Sequence, residues 1–327
     1  MSLLDLLQVQ AGLESTWGTA VTATAKLMGV EEISFEPEVM ASINKDVRQS
    51  LAPGYIATLG GVAAKGSLKG KCLYQDLPYW LDSLCGRATP TGTNPYTYTY
   101  AAPLTAVPTN PRAMTLLYGD SSGTYALLGA LCNGLKITGE NNAEWKIEAD
   151  LFGKSIDTTR SLAVLSDRAV AVTMGNDTSL WIDAWGGTMG TTAITTTAFA
   201  FELALNPARK GRYYLGSTTA GNFQEGRWAA EDNVLTLKME FNTTSKAYLD
   251  AALSTTALAQ YQVRIRGTTG ASAITTLNFA GTCMEPPKIF DDRDGYRTVE
   301  LQLQGTYNTG LANWFTASVV NAVSALP

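Results

Sequence analysis

The chain has 327 residues and a net charge of −5, with 45% hydrophobic and only 16% charged residues, 30 glycines and no histidine. The missing histidine removes the Ser-His and Cys-His catalytic pairs and the commonest metal ligand, and the acidic balance disfavours a basic nucleic-acid clamp. No apolar run approaches the about 18 residues that a membrane span needs, so a soluble protein with no membrane segment is expected.

Residues 1–25 read as an N-terminal arm, whose apolar patch of Leu3, Leu4, Leu6 and Leu7 is too short to stand alone as a helix. With neither a basic n-region nor a long apolar h-region, no secretory signal is expected. The first strand covers 27–39, where Ile33 and Phe35 alternate with Glu32, Ser34 and Glu36. The Gly-rich polar stretch 41–64 reads as a long loop or a loose extended hairpin, and a loop of that length in a compact domain carries function or contacts. A strand over 68–73 enters a short helix over 74–84, with Asp76 as N-cap, Pro78 in the first turn, and Leu77, Trp80, Leu81 and Leu84 sharing a face. A strand over 113–118 and a hairpin over 136–153 follow.

That hairpin recurs. Lys136 to Gly153 can be laid on Lys288 to Gly305 without a gap, and Lys136/Lys288, Ile137/Ile289, Glu148/Glu300, Leu151/Leu303 and Gly153/Gly305 are identical. Both copies alternate apolar with polar residues in the same phase, as a strand buried on one face requires. The elements ahead of it recur too: an alternating strand over 199–205, a Gly-rich loop over 210–232, a strand over 235–241, caps offered by Thr243, Thr244 and Ser245, a helix over 248–253 and a strand over 261–266. The expected fold is therefore mainly β, with two tandem similar β-sandwich domains, each carrying a short flanking helix and a long loop. The divisions are an arm at 1–25, a first domain at 26–156, a Thr-, Gly- and Ala-rich linker at 157–197 with a strand-like piece at 169–174, a second domain at 198–308, and a weakly amphipathic C-terminal arm at 309–327.

Motifs for chemistry fail on spacing. Gly153-Lys154-Ser155 resembles the end of a phosphate loop, but Glu148 stands where the first glycine is needed. Asp291-Asp292-Arg293-Asp294-Gly295 resembles a calcium loop, but Tyr296 and Leu303 occupy the Gly and bidentate Glu positions; a turn between strands explains it, as Glu140 to Ala143 does in the first copy. Cys72, Cys85, Cys132 and Cys283 form no paired motif and read as free thiols. Tyr96, Tyr98 and Tyr100 alternate with Thr and lack basic neighbours, which is strand composition rather than a stacking platform. No enzyme, cofactor or metal site is expected.

The opening Glu14 to Val21, the passage Lys26 to Ile33 and the strand-to-helix segment Gly66 to Leu84 resemble the tail tube proteins, or major tail proteins, of long-tailed non-contractile bacteriophages. The resemblance implies a virion tail component, assembled in the host cytoplasm, that self-associates into stacked rings around a channel through which DNA passes without specific binding. It also implies tape measure and tail terminator or tail tip proteins as partners. Many members carry one tube domain and form six-subunit rings; two domains per chain predict three chains in a pseudo-six-fold ring. Arg48, Tyr55, Ile56 and Leu59 in the first long loop, and Tyr213, Tyr214, Phe223 and Trp228 in the second, are candidates for contacts between subunits and rings. Glu148, Asp150, Glu300 and Gln302 are candidates to face the channel, with the outer face as the alternative. Competing readings are another self-associating β-sandwich virion component or bacterial tube ring protein, and a carbohydrate-binding or adhesin module.

Overall fold

The structure is a computed structural model and describes residues 7–43, 56–105, 112–224, 226–254, 256–285, 288–293 and 295–326. The first half builds β1 (Gln8–Leu13), β2 (Ala25–Leu27), β3 (Val30–Ile43), β4 (Ala57–Lys71), α1 (Leu77–Cys85), β5 (Tyr96–Ala101), β6 (Met114–Gly119), β7 (Thr124–Glu140), β8 (Lys146–Gly153) and β9 (Ser155–Asp157). Antiparallel pairing sets one layer in the order β2-β1-β6-β7-β9. The other layer runs β3-β4-β8-β7. β7, 17 residues long, passes from the first layer into the second.

The second half builds β10 (Thr178–Ala184), β11 (Ala193–Ile194), β12 (Ala198–Leu205), a ribbon of β13 (Lys210–Arg212) and β14 (Asn222–Gln224), β15 (Val234–Glu240), α2 (Thr243–Ala252), β16 (Gln260–Thr268), β17 (Ile274–Thr282), β18 (Lys288–Arg293), β19 (Tyr296–Gly305) and β20 (Phe315–Asn321). Its layers run β11-β10-β16-β17-β20 and β12-β15-β19-β18. This is the pairing order of the first half, with β17 and β18 standing where β7 is unbroken. An irregularity is shared as well: β3 and β4 slip register between Val30 and Glu32, and β12 and β15 slip between Ala198 and Ala200. The halves meet where β7 pairs with β12, from Leu135↔Leu205 to Glu140↔Ala200. β3-β4-β8-β7-β12-β15-β19-β18 is therefore one continuous sheet. β5, from the first half, adds to the far layer by pairing with β20.

Three expectations change in detail. Within the segments read as arm, linker and tail, β1, β10 and β20 are sheet strands with buried residues such as Ala11, Ile182 and Val319. Gln8–Leu13 hides its strand character because neither face is exposed, and a strand buried on both sides loses its period of two. Of the two readings of 41–64 the described residues follow the extended hairpin: β3 continues to Ile43 and β4 starts at Ala57, and the two pair with each other. The helix caps also differ. Asp76 occupies the α1 N-cap position but its side chain makes no cap bond; instead it accepts from Met28 N at 3.0 Å and pairs with Arg168. α2 is capped by Asn242, whose side chain accepts from Thr244 N and Ser245 N in a capping box with Ser245.

Eight of the nine α1 residues are buried, Leu77, Trp80, Leu81 and Leu84 among them. Two polar devices make that burial tolerable. Arg209, from the second half, donates to Ser83 O (2.7 Å) and Leu84 O (2.8 Å), carbonyls of the last turn of α1, and to Cys132 O (2.6 Å) of β7. Asp82 accepts from Tyr100 Oη (2.9 Å) and Ala88 N (3.1 Å) and pairs with Arg112 at 3.2 Å. Burial pushes the Asp82 carboxyl above its ordinary pKa, opposed by the Ala88 N–H and by Arg112.

Candidate assembly surfaces

The continuous sheet has one buried face and one polar face. Ile147, Ala149 and Leu151 of β8, Leu135 and Ile137 of β7, Leu203 of β12, Leu237 of β15 and Leu301 of β19 all point into the core. The intervening residues point out, as the pleat demands. Glu148 and Asp150 are exposed on β8; Glu300 and Gln302 are half-buried on β19; all four belong to this face.

The sequence missed that the face is a lattice of both signs rather than an acidic one. Glu148 lies between Lys69 and Lys136 in register, and Glu300 lies opposite Lys238. Lys69 Nζ stands 3.9 Å from Glu148, Lys136 2.9 Å from Glu202, and Lys71 2.8 Å from Glu144. The same alternation that marked the four candidates also carries these lysines, so the signal was present in the sequence. Most of the lysines lie on the first half's strands (Lys65, Lys69, Lys71, Lys136, Lys146); on the second half's β12, β15 and β19 the face offers Lys238 among Thr236, Gln302 and Gln304.

The two long loops come together. Val62 N donates to Thr218 O at 2.7 Å, with a parallel bridge from Val62 to Thr219. A Cβ on Gly61 would stand 3.2 Å from Tyr213 Cε1, so the Tyr213 ring covers that glycine. Phe223 packs edge-on against Trp17 at 5.6 Å, and Trp228 lies 5.6 Å from Trp314. These two aromatics anchor the loop to its own chain. Tyr214 is 54% exposed, and Ile56 (53%) and Leu59 (55%) join Val39, Met40 and Ile43 in an exposed apolar stretch along the hairpin arms. Arg48 and Tyr55 lie outside the described residues.

The N-terminal strand is tied in by Glu14, which accepts from Thr115 Oγ1 (2.8 Å), Gly129 N (2.8 Å) and Gly18 N (2.6 Å). Gly129 has φ +66, and a Cβ there would lie 2.7 Å from Trp17 Nε1, so that bend in β7 admits only glycine. Among the described residues no cluster of three His, Cys, Asp or Glu could hold a metal, and no helix is long and apolar enough to cross a membrane.

The phage tail tube protein family model matches residues 6–305, nearly the whole chain. No curated protein matches it significantly. The chain belongs to the phage tail tube protein family, whose members are structural subunits of the virion tail that assemble into a tube.

Proposed function

We propose that three copies of this chain close into a ring, that rings stack into the tail tube, and that the polar face of the continuous sheet lines a channel for DNA. What carries this reading is the β7–β12 junction, where two repeats of one unit lie side by side in a single sheet with a single polar face. Each chain then supplies two of six equivalent positions, under closed cyclic symmetry with head-to-tail contacts. The two units are taken as 7–157 and 178–321, which share one pairing order apart from β5, a strand of the first that pairs with β20 of the second.

On this reading the face suits passage because several of its carboxylates have a lysine beside them, as Glu148 has Lys69, Glu202 has Lys136 and Glu144 has Lys71, while Asp150 lies opposite Ser67 and Gly134. Phosphates meet neither a net basic surface that would hold them nor an uncompensated acidic one. The exposed apolar stretch along Val39, Met40, Ile43, Ile56 and Leu59 contacts the neighbouring ring. The tape measure protein occupies the channel before DNA, and terminator and tip proteins cap the ends; the family resemblance supports these partners.

Electron microscopy of the concentrated purified protein tests the proposal. Stacked rings of three chains with pseudo-six-fold density are expected; rings of six chains, or monomers that bind glycan, would overturn it. Within assembled tails, Glu148→Lys with Glu300→Lys should lower DNA delivery while tubes still form. Unchanged infectivity would count against a channel position for this face.

A further inference from the structure

The continuous sheet ends in two strands that pair on one side only among the described residues: β3 with β4, and β18 with β19. β3 is 14 residues long, and an uncovered edge of that length is a template for unwanted pairing unless a partner covers it. We propose that β18 of one chain pairs antiparallel with β3 of a second copy, reproducing the β7–β12 seam, with Lys288 opposite Glu36. This rests on the ring reading above and gives it a specific interface.

The register follows from the repeat. Glu148 and Glu300 are equivalent positions; Lys69 lies opposite the first and Lys238 opposite the second. One strand outward, Glu32 lies opposite Lys69 and Ala200 opposite Lys238, each just past the shared bulge. β3 is thus the counterpart of β12, with Glu32 at the place of Ala200 and Glu36 at the place of Ala204. On the other side, Lys136 lies opposite Glu148 and Lys288 opposite Glu300, which makes β18 the counterpart of the last part of β7. Inside the chain Ala204 lies opposite Lys136. Transposed to the two edges, that pair becomes Glu36 and Lys288.

Two further observations fit. The transposed register also sets Arg293, which already pairs with Glu140 in its own chain, opposite Glu32, so cationic positions meet anionic ones at both ends of the seam. Immediately past Glu36 stands Pro37, which has no N–H to donate and ends the usable edge where the β12 template ends, at the counterpart of Leu205.

The test is cross-linking in assembled tubes. In a Cys85→Ser background, Glu36→Cys with Lys288→Cys is treated with a short bis-maleimide. As a calibration of the seam geometry, Lys136→Cys with Ala204→Cys should bridge within one chain. Expected for the Glu36/Lys288 pair is a ladder of covalent multimers ending at three chains, with much weaker linking from Ser34→Cys with Lys288→Cys. Tubes that form normally but link through the shifted pair, or not at all, overturn the seam while leaving the ring reading intact. If the parent protein forms neither rings nor tubes, the ring reading fails and the seam with it. Charge exchange gives an independent arm: Glu36→Lys should impair tube growth several-fold and Glu36→Lys with Lys288→Glu should restore it, and failure of the double variant to recover counts against the register.

Discussion

Lys136 reaches Glu202 at 2.9 Å across the line where the first half's sheet becomes the second's. Both side chains are well exposed, so the ion pair contributes about 0.2–1 kcal/mol. The apolar residues beneath it, Leu135, Ile137, Leu203 and Leu205, carry the seam. Leu203→Ala should therefore destabilise the monomer by about 2–5 kcal/mol in urea unfolding, and Glu202→Gln by less than about 1 kcal/mol; the reverse ranking would refute this division.

Arg209→Met keeps much of the side chain's bulk but strips the Ser83, Leu84 and Cys132 carbonyls of their donor. A loss of about 3 kcal/mol is expected from buried acceptors left unmet. Lysine should rescue only part of it, because one ammonium cannot copy the planar fork. Thermal unfolding of the three proteins reads the difference.

Asp82→Asn leaves the Arg112 guanidinium, only 11% exposed, without its counter-charge. Removing one partner of a buried pair should cost about 3 kcal/mol, whereas Tyr100→Phe, which deletes one donor to the same carboxylate, should cost about 1 kcal/mol. Equal effects would show that the pair matters no more than a single hydrogen bond.

Thiol accessibility checks the packing. Burial pushes Cys72 and Cys132 up to about 12, and Cys283 upward as well, while Cys85 is half-exposed. Near pH 8 the native protein should therefore label at Cys85 first, and all four thiols should react in denaturant. Fast native labelling of Cys72 would contradict its complete burial in the core.

Leu59→Asp places a charge in the exposed apolar stretch of the β3–β4 hairpin. The monomer's melting temperature should move little, since the side chain is 55% exposed, and tube growth should fall sharply. Normal tubes from this variant would remove the hairpin from the inter-ring contact.

The alternation in Lys146–Gly153 and Tyr296–Gly305 was readable because each strand has one wet and one dry face, and α1 because Leu77, Trp80, Leu81 and Leu84 recur at helical spacing. What stayed hidden was what depends on distant partners. β5 pairs with β20 through contacts such as Tyr98↔Val319, and no local pattern announces a neighbour so far along the chain. Phe223 and Trp228 looked like surface anchors because a Gly-rich loop surrounds them; only their contacts with Trp17 and Trp314 show them turned inward. Glu148, Asp150, Glu300 and Gln302 share one polar sheet face, but which lysine stands beside which carboxylate depends on cross-strand register, which the turns and bulges set.

The β7–β12 junction also bears on how dilute subunits find one another. Every bimolecular encounter forfeits translational and rotational freedom worth about 4–15 kcal/mol, yet this junction closes as a single polypeptide folds and forfeits none of it. In the proposed ring of three, every second seam is in place before any collision occurs. The threshold concentration for growth is accordingly lower than six unlinked units with the same contacts would require.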